Sequence, residues 1–204
     1  MSVRTAAKII SFVFHPLLMA TYLVVILGKF FPSMLMIGPD HVWLIASFVF
    51  GFTFAVPSVN LLLFRYLGSI QSLYLESREQ RILPFIFISL LYAMVAFLFY
   101  YKLPFSANFN KLITLAAALV IVATVITLFY KVSVHSLALG GIVGILLPLL
   151  RFSPNLLLPL AIVIVITGMV ISSRLLLGAH TPRETLIGSL AGIVTGYGGM
   201  VVLF

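Results

Sequence analysis

Seven apolar runs divide this chain, set apart by polar residues, prolines and glycines. They cover residues 9–31, 42–64, 83–101, 112–130, 136–150, 156–172 and 185–204. Most approach the roughly 20 residues that a helix needs to cross a hydrocarbon core, and the fifth is short. Continuous runs without period-two alternation predict helices rather than the strands of a barrel. The connections are brief: residues 31–40 hold Pro32, Gly38 and Pro39, residues 102–111 hold Pro104, and residues 65–82 form the longest and most polar link. Arg4 and Lys8 precede the first run, and no small-residue cleavage site follows them convincingly, so that run reads as a first helix rather than a removed signal. The expected fold is all-α, a multi-pass transmembrane bundle of about seven helices, forming one domain over residues 1–204.

Two rows of small residues predict which helices touch. Gly140 and Gly144 lie in the fifth run, and Gly188, Gly192 and Gly196 in the seventh. Small residues at this spacing let membrane helices approach closely, so these two helices should lie side by side. Inside the runs, His15-Pro16, Pro57 and Pro148 read as kinks. His41, beside Trp43, reads as an interfacial anchor.

Composition strengthens the membrane reading. Of 204 residues, 63% are hydrophobic and 8% charged, and mean hydropathy is +1.27. A water-facing surface needs far more charge. The net charge of +8 comes from basic residues placed singly near helix ends, not from a basic stripe, so nucleic acid is not the expected partner. With no cysteine, thiolate chemistry and cysteine metal sites are excluded.

Counting crossings brings the N-terminus and the connections around residues 65–82, 131–135 and 174–184 to one face. That face carries Glu76, Glu79, Glu184, His135, His180, Arg78, Arg81, Lys131, Arg174 and Arg183. Ionisable groups at membrane depth are costly to keep without a use. The densest stretch is Ser173-Arg174-Leu175-Leu176-Leu177-Gly178-Ala179-His180-Thr181-Pro182-Arg183-Glu184. Here one helix can exit near Gly178 and the next start at Pro182, so that Arg174 and His180 converge. Thr181 is a good N-cap. Glu184 can close a capping box or accept the His180 ring N–H; the two roles are not exclusive. Upstream, Lys131-Val132-Ser133-Val134-His135 opens the fifth helix, with Ser133 a candidate cap and His135 a candidate general acid. Two histidines among arginines and a lysine suit phosphoryl transfer: one imidazole attacks phosphorus, the other protonates the leaving oxygen, and the cations hold the phosphate. The same cations repel a divalent ion, which argues against a metal site.

The stretch Ser173-Arg174, five residues, His180, three residues, Glu184 resembles the third signature of the type 2 phosphatidic acid phosphatase superfamily, Ser-Arg-x5-His-x3-Asp. Ser133-Val134-His135 is similar to the end of its second signature, Pro-Ser-Gly-His, and Glu76 to Pro84 loosely resembles the first, Lys, six residues, Arg-Pro. The departures are Glu for Asp at 184, Val for Gly at 134, Glu76 where Lys is expected, and Arg81 two residues short of adjacency to Pro84. The resemblance spans a phosphatase-like core over residues 65–204. It implies a metal-independent lipid phosphatase without cofactor, in a bacterial inner (cytoplasmic) membrane, whose partners are the bilayer and a membrane lipid phosphate. His180 would be the nucleophile, His135 the acid and Glu184 the orienting group. Phosphate would be held by Arg174, Ser133, Arg81 or Arg78, and Lys131. The alternative is a non-catalytic lipid-binding or transporter-like protein of the same fold, although transporter sites lie near the midplane and these charges gather at one face.

Eight of the twelve basic residues fall on the site face, against Lys29, Lys102, Lys111 and Arg151 opposite, which by the positive-inside rule makes the site cytoplasmic. Four of the eight are candidate phosphate ligands, and without them the two faces tie. The resemblance points to the periplasm instead.

Overall fold

A computed structural model describes residues 2–72, 75, 77–102 and 105–204. Glu76 and Pro104 lie outside them. Helices α1 (Val3–Val13) and α2 (Met19–Phe30), joined by a 3-10 turn at Pro16–Leu18, make up the first span, and a one-turn α3 (Pro32–Leu35) follows. Helices α4 (Val42–Phe50) and α5 (Val56–Tyr66), joined by a π turn at Gly51–Ala55, make up the second. Helices α6 (Arg78–Tyr101), α7 (Ala107–Phe129), α8 (Val134–Leu149), α9 (Leu157–Leu176) and α10 (Pro182–Leu203) complete the chain. Six spans are long and apolar enough to cross a membrane. The seventh, α8, has 16 residues and is about 24 Å long at 1.5 Å per residue. Among the described residues there is no strand. The protein is an all-α, multi-pass integral membrane bundle.

Several helices start earlier than the apolar runs. The first begins at Val3, with Ser2 accepting the Thr5 N–H. The third begins at Arg78, with Ser77 accepting the Gln80 N–H, and the fourth at Ala107, behind a Ser106 cap. A membrane helix can open with a polar first turn in the headgroup region, so a count of apolar residues misses that turn. Ser77-x-x-Gln80 is itself a capping-box pattern that marks the third start. As a result Arg78 and Arg81 sit in the first turns of α6, not in a loop.

The expected kinks resolve into three different devices. Pro57 has no N–H for the carbonyl of Thr53, four residues before it. The helix relaxes into the π turn, and the buried Tyr92 hydroxyl donates to Thr53 O at 3.0 Å. At His15-Pro16 the first span breaks, and Tyr22 Oη donates to Val13 O at 2.8 Å. Pro148 lies one residue from the end of α8, so it helps terminate that helix and does not bend its middle.

Helix α8 forms the centre, packed chiefly on α10 and also on α9. The glycine rows face each other there. A Cβ at Gly140 would come within 2.5 Å of Ser189 O, and one at Gly192 would collide with Leu137 O and with Gly141 N at 2.8 Å. Backbone meets backbone along this seam, as the spacing predicts. The contact aligns the two helix starts, where Ser133 N–H donates to Glu184 O at 3.2 Å.

Candidate active site

The turn from α9 to α10 is built by local chain chemistry. Gly178, at φ +66°, adopts the left-handed conformation that lets a helix stop within one residue. Ala179 N–H then reaches back to Arg174 O at 3.1 Å and Gly178 N–H to Leu175 O at 2.9 Å, the paired bonds of a Schellman ending. Thr181 Oγ1 caps the Glu184 N–H at 3.3 Å, and Pro182 takes the first helical position. The Glu184 carboxylate turns to His180, with Nδ1 and Oε2 2.6 Å apart. Nδ1–H donates to the carboxylate, which leaves Nε2 as the ring nitrogen available to a ligand. Burial lowers the pKa of the His180 imidazole below the usual histidine value. The Glu184 hydrogen bond opposes that shift, while Arg81 and Arg174 add to it.

His135 is fixed from the other side of the bundle. A continuous first helix would have bonded Ser11 O to the N–H of residue 15. The break instead sends His15 N–H to Phe12 O at 3.2 Å. Ser11 O is therefore open, and His135 Nε2 lies 3.1 Å from it. That bond holds Nε2–H, and Nδ1 has no hydrogen-bond partner among the described residues.

Arg81, Arg174, His135 and His180 line one cavity of about 820 Å³. Part of the remaining lining comes from α1 and α5, whose Lys8, Ile9, Phe12, Leu62 and Arg65 are exposed. Arg81 is buried, and its Nε donates to Leu75 O at 2.7 Å and one terminal nitrogen to Val132 O at 3.1 Å. The other terminal nitrogen has no hydrogen-bond partner among the described residues. Arg174 has a sealed Nε with no hydrogen-bond partner among the described residues. Helices α8 and α10 both begin at this end, so their positive dipole ends support an anion here.

Three candidates are placed elsewhere. Ser133 is fully buried and caps α8 by accepting the Ser136 N–H at 3.4 Å. Arg78 binds Glu79 at 3.3 Å and the carbonyl of Leu128. Lys131, like these two, is not among the cavity residues. The reverse case is His15, read from sequence as part of a kink. It does mark the break, but it also lines the cavity, with its ring 5.7 Å from that of His135. Three histidines thus border the cavity, yet among the described residues no three His, Asp or Glu gather as a metal site would need.

Fold and cavity together define a class: a multi-pass helical membrane protein with a cationic, histidine-lined cavity at one end of its bundle. No protein-family model, curated protein or solved structure matches the chain.

Proposed function

We propose that the protein is a metal-independent phosphatase of the bacterial inner membrane, acting on a membrane lipid phosphate or isoprenyl (di)phosphate. The observation that carries this reading is the Arg174 guanidinium, which lines the cavity with no carboxylate partner among the described residues. The described residues hold two ion pairs, Arg78–Glu79 and His180–Glu184, and neither includes Arg174 or Arg81. Arg81 is buried and Arg174 half-buried; a cation withdrawn from water without a counter-charge is costly, and a doubly charged phosphate would offset that cost on binding.

In the proposed reaction His180 Nε2 attacks phosphorus in line with the ester oxygen. As the N–P bond forms, the P–O bond to the lipid breaks. The leaving oxygen takes a proton from Nδ1 of a protonated His135, whose Nε2–H stays on Ser11 O. Glu184 supports the positive charge that develops on His180, and Arg174 and Arg81 hold the phosphate oxygens. Water then attacks the phosphohistidine with His135 Nδ1 as base, releasing phosphate and restoring both rings. The resemblance of the Ser173–Glu184 stretch to a phosphatase signature supports the same assignment.

The test is phosphate release by purified protein from a panel of lipid phosphates with chelator present. Release should proceed unchanged by the chelator. Activity that disappears with chelator and returns with a divalent ion would overturn the reading. No release and no acid-quenched phosphoenzyme would leave a lipid-binding protein instead.

A further inference from the structure

The first span contributes a histidine that this mechanism leaves idle. His15 and His135 meet edge to face, and opposite kinds of backbone group hold them. Ser11 O can only accept, so His135 Nε2, 3.1 Å away, carries a hydrogen. The Leu17 N–H can only donate, so His15 Nδ1, 3.4 Å away, presents its lone pair. A neutral imidazole with its lone pair on Nδ1 keeps its hydrogen on Nε2. Among the described residues no group is bonded to that Nε2, and it is not one of the sealed, unpartnered atoms. Phe54 packs against the ring at 6.1 Å, limiting its rotation. Capping the Leu17 amide needs only an acceptor, which Ser, Asn or Asp would supply. The second nitrogen is what the imidazole adds, and His15 borders the cavity that Arg174 and His180 also line.

We propose that His15 is a phosphate-binding residue of this cavity, a neutral imidazole whose Nε2–H donates to a phosphate oxygen beside the Arg174 guanidinium. This rests on reading the cavity as a phosphate site. It does not require turnover. Arg174 and Arg81 supply charge; His15 supplies a directional donor from the first span that adds no charge to an already cationic space.

Two substitutions separate the ring's nitrogens. Asn places an acceptor near Nδ1 and so keeps the cap without the donor. Gln places an amide N–H near Nε2 and keeps the donor without the cap. The affinity of the purified full chain for inorganic phosphate, measured by calorimetry, should fall at least about tenfold in His15→Asn and stay within about threefold in His15→Gln. His15→Gln should instead show the lower Tm. Wild-type affinity in His15→Asn would overturn the proposal and make His15 a cap alone. If His15→Gln does not fold, ¹⁵N-histidine NMR of the wild type decides. The His15 Nε2 resonance should move on phosphate addition, and a resonance that stays put overturns the proposal. Wild type that binds phosphate through His15 yet releases none from lipid substrates removes the phosphatase reading and leaves this one standing. Wild type that hydrolyses lipid phosphates while His15→Asn binds phosphate normally does the reverse.

Discussion

Arg174 sits in the last turn of α9, where its guanidinium gains from the negative helix end while facing a cavity of like charge. If it holds the phosphate in the transition state, Arg174→Ala should lose at least about 10²-fold in kcat/KM, or 2.7 kcal/mol. Arg174→Lys should recover little, because a point charge lacks the planar fork. Full activity in the lysine variant would reduce Arg174 to a headgroup anchor. The His180–Glu184 pair gives a second test, in pH. A nucleophilic imidazole must be unprotonated, and burial lowers the His180 pKa, so the acid limb of kcat/KM should lie below the ordinary histidine value of about 6.5. The Glu184 hydrogen bond opposes that shift. Glu184→Gln should therefore move the limb to still lower pH while reducing kcat, since the charge supporting an imidazolium is gone. A limb that moves upward in this variant would refute the pairing as described. His180→Ala should abolish both turnover and phosphoenzyme, measured by acid quench. A phosphoenzyme that persists there but vanishes in His135→Ala would reverse the two assignments.

Among the elements, the seam between α8 and α10 fixes the register of the site, because Ser133 N–H and Glu184 O bond across it. Gly192→Ala would press a methyl group onto the Leu137 carbonyl, a backbone atom that cannot turn aside. Overpacking of this kind costs about 1–3 kcal/mol, so the variant should unfold at lower temperature in detergent. Gly168→Ala in α9 is the control: its Cβ would meet nothing within 4 Å, and it should be neutral or gain up to about 1 kcal/mol. Equal losses in the two would mean that the seam is not packed as described. This seam was legible in the sequence because glycine spacing on a helix is a local record of a close approach. The Gly178 exit and Thr181-Pro182 start were legible for the same reason. Less could be read where the decisive partner is remote. Arg81 faces the cavity and Arg78 does not, because α6 starts at Arg78 and its phase is set by packing on α7. His15 gave no sign beyond its proline, since its role depends on which backbone groups a helix break frees and on a ring 120 residues away in sequence.

For the whole molecule, seven crossings place the N-terminus, the turn after α5 and the α9–α10 turn at one face, and the α8–α9 turn at the other. The chain has no cysteine, so single introduced thiols report topology against an empty background. Ser2→Cys and Ser69→Cys, both at exposed positions, should label from the same side of a sealed vesicle, and Asn155→Cys from the opposite side. Labelling of all three from one side would mean that α8 does not cross.

The cavity lining includes Ile9 and Phe12 of α1 and Leu62 of α5, all exposed on the outside of the bundle. A long-chain phosphate arriving there would travel sideways through the bilayer without first dissolving in water. Its encounter rate then follows a surface density, not a molarity. Diluting the lipid substrate with inert detergent at constant bulk concentration should slow the reaction in proportion to mole fraction. Adding more mixed micelles of fixed composition should leave the rate per enzyme unchanged once every protein is embedded.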